Sequence, residues 1–342
     1  MKYSLAFGDS NSSNPRYSAL SGNEEEADKE VQDIEIENSR NVWKRRRSLW
    51  ALFIAVVLVV GGATVLLPNS QKFRNLSTQS EWHLNDTLYD DFPRLHQLVG
   101  TFAHEAATFL SWHRGFIQIY ETTLREKCGY QGHLTYWDWS LDYENPASTV
   151  VFNSYDGFGG DGDLQAPKSV GKGRCVTDGP FAGLQAKYFD DVVNNPEDKI
   201  LQHCLSRGFK DGKNGFSGHK FRPEAMERLW RQKTYDKFFL YLELGPHNGI
   251  PQGIQGDFMT FTAPYDPLFF LHHTQIDRLW WLWQQAEPSS RLNAYSGRKN
   301  GTRSGFNETA TLDDLLPYHG LGSDVIVCEV MNTRSKLLCY QY

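Results

Sequence analysis

Two stretches of this 342-residue sequence set a histidine in the middle of an aromatic helical face. In Tyr265-Asp266-Pro267-Leu268-Phe269-Phe270-Leu271-His272-His273-Thr274-Gln275-Ile276-Asp277-Arg278-Leu279-Trp280-Trp281-Leu282-Trp283-Gln284, apolar side chains fall at Phe269, Ile276, Trp280 and Trp283 counting from His273. That three-and-four spacing marks one face of a helix, and Pro267 suits its first turn. An imidazole buried with nothing to bond costs free energy, so it needs a partner. A lone inward histidine is more often a hydrogen-bonded core residue than a metal ligand. The segment from Phe109 to Glu121 repeats the design, however, with His113 among Phe109, Phe116, Ile117, Tyr120 and Leu124. Two such helices suggest a metal site between facing helices of a bundle, neutral imidazole being the commonest protein ligand for a metal.

Other elements must position these histidines. Tyr89 to Val99 reads as a short helix with Phe92, Leu95, His96 and Val99 on one side. His104 follows eight residues later and His113 nine after that, steps that cannot keep three histidines on one face at about 100° per residue. A break is required, and His104 is the natural ligand from a loop. Helix 109–127 ends at Gly129, a C-cap residue. Residues 140–220, rich in Gly, Asp, Asn and Pro, predict long ordered loops with short elements. Phe221 to Tyr241 predicts one helix entered near Pro223, followed by a loop from Gly245 to Pro251. Residues 288–310 read as polar loop, and the tail from Leu312 to Tyr342 as short strands.

Composition narrows the setting. A net charge of −6 implies neither nucleic acid nor an acidic substrate, and ten tryptophans demand a substantial core. No Cys-x-x-Cys pair occurs, which weakens a structural zinc reading. Residues 1–47 are polar and predict a disordered tail ending in Lys44-Arg45-Arg46-Arg47. Trp50 to Leu67 is apolar apart from Thr64, near the ~20 residues that cross a bilayer. We therefore expect a transmembrane anchor at 48–67, a stalk at 68–88 and a folded domain at 89–342. The basic cluster puts the tail in the cytoplasm, making a single-pass type II membrane protein whose C-terminal domain is lumenal or extracellular. Glycosylation sequons at Asn75, Asn85, Asn300 and Asn307 lie beyond the anchor, and one at Asn11 lies before it. All five cysteines also lie beyond it, allowing up to two disulfides.

His96, His104, Phe109 to Arg114, Tyr136-Trp137-Asp138-Trp139, His247-Asn248 and the 266–280 segment together resemble the tyrosinase family of type 3 copper proteins. The chain is most similar to its short fungal members, some of which act in the biosynthesis of cyclic peptides and other secondary metabolites. The resemblance implies a mainly α fold, a four-helix-bundle core holding two copper ions, with short peripheral strands. It places His96, His104 and His113 on the first copper and His247 and His273 on the second, leaving His272 beside the ligands. Dioxygen would be co-substrate for hydroxylating phenols or oxidising catechols, on a phenolic small molecule or a tyrosine-containing peptide. Other biosynthetic enzymes are further expected partners. Asn248 resembles a residue that helps hold a deprotonating water, with Glu243 as that water's partner; the alternative for Asn248 is a turn residue.

Three departures bear on this. Pro251 stands one turn after His247, where the family expects a further ligand, so Glu243, His272 or water would have to substitute. Phe102 replaces a cysteine that crosslinks to the second ligand in some relatives, and the sequence shows no C-terminal lid. An altered mono-copper oxidase and a non-catalytic membrane scaffold are the alternatives to a binuclear oxidase. Asp277, four residues after His273, is expected either to steady a ligand ring, paired with Arg278 or Arg114, or to form a surface ion pair.

Overall fold

Thr87 opens the first helix through a reciprocal cap: its hydroxyl accepts from the Asp90 amide at 3.3 Å while its own amide donates to Asp90 Oδ2 at 2.7 Å. The computed structural model describes residues 87–187, 202–209, 215–301 and 308–342, and the backbone of 189–190 and 199–200. The expected tail, the anchor at 48–67, nearly all of the stalk, and the sequons at Asn11, Asn75, Asn85 and Asn307 lie outside these residues. Among the described residues no helix is long and apolar enough to cross a membrane. Asn300 is half-buried.

The helices are α1 (Leu88–Val99), α2 (Thr108–Cys128), α3 (Pro223–Trp230), α4 (Tyr235–Leu242), α5 (Asn248–Ile254) and α6 (Leu268–Ala286), with single turns α7 (Pro288–Arg291) and α8 (Val327–Val330). The core is mainly α. All five predicted inward residues around His113 and all four around His273 are buried. Gly129 closes α2 in the left-handed region at φ 68°. Aromatic interlock joins α1, α2 and α6: Tyr120 and Phe270 stack at 3.5 Å, and Phe92 meets Phe116, Tyr120 and Phe270 edge-on.

The region 221–241 forms two helices, with a break over 231–234 where one was expected. The Trp283 indole donates to the freed Gln232 carbonyl at 2.8 Å, a tertiary contact that no local pattern announces. The expected loop at 245–251 is helical instead. A π turn over Glu243–His247 links α4 to α5, carrying Pro246, and Pro251 lies within α5. Each proline lacks a backbone N–H, and the wider π turn fits the altered hydrogen-bond ladder. The tail holds one strand pair, β7 (Leu315–Leu316) with β8 (Val325–Ile326), plus helix α8, so it is less extended than predicted.

The long loop layer contains 3-10 turns and antiparallel two-residue pairs. Here β1 (Arg174–Cys175) pairs with β6 (Ser206–Arg207), β2 (Gln185–Ala186) with β5 (His203–Cys204), and β3 (Phe189–Asp190) with β4 (Lys199–Ile200). One disulfide, Cys175–Cys204, ties this layer together. Cys128, Cys328 and Cys339 are free, so the second bridge allowed by the count is not formed. Buried Arg207 grips Asp266 with two bonds of 2.6 and 2.9 Å, and Asp266 Oδ1 accepts the first amide of α6 at 3.0 Å. The loops thereby fix where α6 begins.

Candidate metal centre

Five elements converge on one buried point. His96 comes from α1, His104 from the bend before α2, His113 from α2, His247 from the π turn, and His272 with His273 from α6. The ligand atoms of His96, His104 and His113 lie within 4.8 Å of one another, and those of His247, His272 and His273 do likewise. The rings of His113 and His273 stack at 4.2 Å and 9°, so the two trios share a wall.

Hydrogen bonds assign the tautomers. Nδ1 of His96 meets the Phe261 carbonyl at 2.6 Å, that of His104 the Gly100 carbonyl at 2.9 Å, and that of His113 the Phe109 carbonyl at 2.7 Å. Carbonyls only accept, so each Nδ1 carries the proton and each Nε2 keeps its lone pair. His247 follows the same rule, its Nδ1 donating to Asn248 Oδ1 at 2.8 Å. Burial holds these rings neutral: His96 and His113 fall well below the ordinary value, His104 to about 4 and His247 to about 3. The Nε2 atoms of His96 and His113 consequently face each other across 3.2 Å with no proton between them. Two lone pairs at that distance repel unless a cation sits with them. Imidazole nitrogens with no thiolate lining the site are a donor set that suits copper, and the first trio fits it.

The second trio fits by two residues rather than three. The Trp139 indole donates to His272 Nδ1 at 3.1 Å. An indole can only donate, so the His272 proton resides on Nε2, which is buried without a partner. A protonated ring nitrogen offers no lone pair, and His272 is therefore no substitute ligand despite its position. His247 Nε2 and the buried His273 ring remain.

A cavity of about 260 Å³ opens beside the histidines, lined among others by Glu105, Glu243, Asn248, Pro251, Phe258 and Phe261. Glu243 Oε1 accepts the Glu105 amide at 2.8 Å, while Oε2 is buried and unbonded. Burial pushes the Glu243 carboxyl up to about 8. Asn248 is the first residue of α5 rather than a turn, and its carbonyl is committed to His247. Pro251 lines the cavity as a bare wall.

Asp277 departs from both roles expected of it. It is buried, not at the surface, and pairs with Arg114 at 2.5 Å, while Arg278 turns to Asp138 at 3.2 Å. Its other oxygen accepts from the Tyr342 hydroxyl at 2.7 Å and from Tyr340. It fastens α2, α6 and the tail, and no hydrogen bond links it to the His273 ring. Sequence reasoning missed Trp139 as the group that orients His272, and Glu105 as the partner of Glu243. The Phe109 carbonyl was legible, being four residues before His113 on one helix; the Phe261 carbonyl, 165 residues from His96, was not.

Residues 75–286 match the common central domain of tyrosinase. The chain is 45% identical over 268 residues to the tyrosinase ustQ of Aspergillus flavus, covering 78% of this chain and 72% of that protein. It is 43% identical to the tyrosinase-like protein phomQ2 of Diaporthe leptostromiformis, covering 77% of this chain and 66% of that protein. A solved polyphenol oxidase from Thermothelomyces thermophila, a point mutant, shares the fold, with a TM-score of 0.66 at 24% identity and 86% of each chain covered.

Proposed function

Since this chain belongs to the tyrosinase family, we propose that its histidine centre holds two copper ions and oxidises phenols or catechols with dioxygen. Family membership makes it a copper-binding oxidoreductase. The finer reading rests on one observation above all: Nε2 lone pairs of His96 and His113 held 3.2 Å apart in neutral, buried rings. His96, His104 and His113 would hold one copper, and His247 with His273 the other. Bound copper supplies the electron transfer between dioxygen and the phenolic ring.

The protein's own groups do the rest. Carbonyls of Phe261, Gly100 and Phe109 and the Asn248 side chain fix each imidazole so that no reorganisation precedes metal binding. Phe258, Phe261 and Phe269 wall the cavity and limit water around the ring. Glu243 Oε2 takes the proton of the substrate hydroxyl, directly or through a water, since it is the unbonded carboxyl oxygen beside the centre. We read the substrate as a phenolic metabolite or a tyrosine within a peptide. The Cys175–Cys204 disulfide supports an oxidising compartment, in keeping with a lumenal domain on an N-terminal anchor, glycosylated and working beside other biosynthetic enzymes.

Metal analysis with oxygen uptake on a monophenol and a catechol tests this. Two coppers per chain with uptake is the expected result. One copper with uptake would favour the altered mono-copper oxidase, and no copper would leave a scaffold. Glu243→Gln should lower kcat by about 10²–10⁴, the usual span for a lost general base. It should also remove the acidic limb of the pH profile. That limb falls at or below about 8, because nearby cations stabilise the carboxylate.

A further inference from the structure

The cavity carries acids and no base. Glu105 and Glu243 line it, and among the described residues no lysine or arginine does. The Lys220 ammonium is spent on Gln252 Oε1 at 2.9 Å and the Leu244 carbonyl at 3.4 Å. Glu105 is also a non-glycine residue in the left-handed region, at φ 53°. That backbone turns its amide onto Glu243 Oε1 at 2.8 Å, leaving Glu243 Oε2 buried, unbonded and on the cavity wall. An uncommon conformation thus ties two acids together at the mouth of the centre, where nothing basic offsets them.

We propose that this cavity selects phenols bearing an ammonium group over phenols bearing a carboxylate, with Glu105 as the residue that sets the preference. The identity of the ring rests on the oxidase reading; the sign of the charge rests on the lining alone. An arylalkylamine enters with its cation toward Glu105 and its hydroxyl toward the histidines. A phenolic acid of the same length brings like charges together.

Tyramine and 3-(4-hydroxyphenyl)propionate share a phenol and a side chain of similar length but carry opposite charges. Calorimetric titration of the copper-free full chain with each reads binding without turnover. Tyramine is expected to bind about tenfold tighter, because charges near a protein surface interact more strongly than in bulk water. The gap should narrow with added salt, and Glu105→Gln should reduce it to about twofold or less. Equal affinities, no binding by either, or a gap untouched by Glu105→Gln would overturn the proposal. If that variant does not fold, the wild-type ranking and its salt dependence decide. Should the copper-loaded chain oxidise neither compound while the ranking holds, the oxidase reading falls and the charge preference stands.

Discussion

Arg114 is a fully buried guanidinium whose acceptors come from distant parts of the chain. Asp277 takes its Nε at 2.5 Å, and the Val330 and Met331 carbonyls each take Nη1 at 3.0 Å. The Trp280 ring lies 3.6 Å beneath it. Removing one partner of such a pair strands a charge away from water, at a cost of about 3–5 kcal/mol. Asp277→Asn should lower the unfolding free energy by roughly that amount in denaturant titrations. The copper content of the folded fraction should not change, because the carboxylate serves the fold and not the histidines. Loss of copper from folded protein would show instead that Asp277 steadies a ligand.

The rod from α4 through the π turn to α5 is where sequence reading and structure part most clearly. His96, His113 and His273 were legible because each sits on an uninterrupted helical period with buried neighbours on both sides. His247 was legible only through its resemblance to a known motif, since Pro246 and Pro251 read locally as loop. The structure keeps the segment helical, so position 251 still lies one turn beyond His247 on the cavity side. Pro251→His should therefore bring a third imidazole to the second copper and return a backbone donor. Resistance of that copper to a chelator should rise on the order of tenfold, the scale on which changes around a metal ligand act. No change in chelator kinetics would mean that the vacant corner is already filled by another donor. The break between α3 and α4 was illegible for a different reason: nothing near residue 232 forbids helix, and only the Trp283 indole, 51 residues away, stabilises the exposed carbonyl.

Taken whole, the domain buries six neutral imidazoles and one protonated glutamate, and these pull its stability in opposite directions with pH. Each histidine has a folded value below the ordinary 6.5, so below that pH the unfolded chain takes up protons that the folded centre refuses. Stability falls on acidification from 6.5 towards about 3, the level of His247. Glu243 behaves in reverse: raised from 4.5 to about 8, its contribution is complete below 4.5 and is lost as pH climbs to 8. Six against one, the melting temperature of the copper-free chain should drop steeply from pH 6.5 to 4 and only gently from 6.5 to 8. A flat acid side in calorimetry would contradict neutral burial of the rings. The Arg114 contacts carry a further consequence, for the order of events at the ribosome. The carbonyls that complete its shell lie 216 and 217 residues downstream. At about 5–20 residues per second that is a wait of roughly 10–40 s during synthesis. Until then the nascent chain carries an unsheltered cation between two half-docked helices, and metal delivery to a finished centre belongs after that interval.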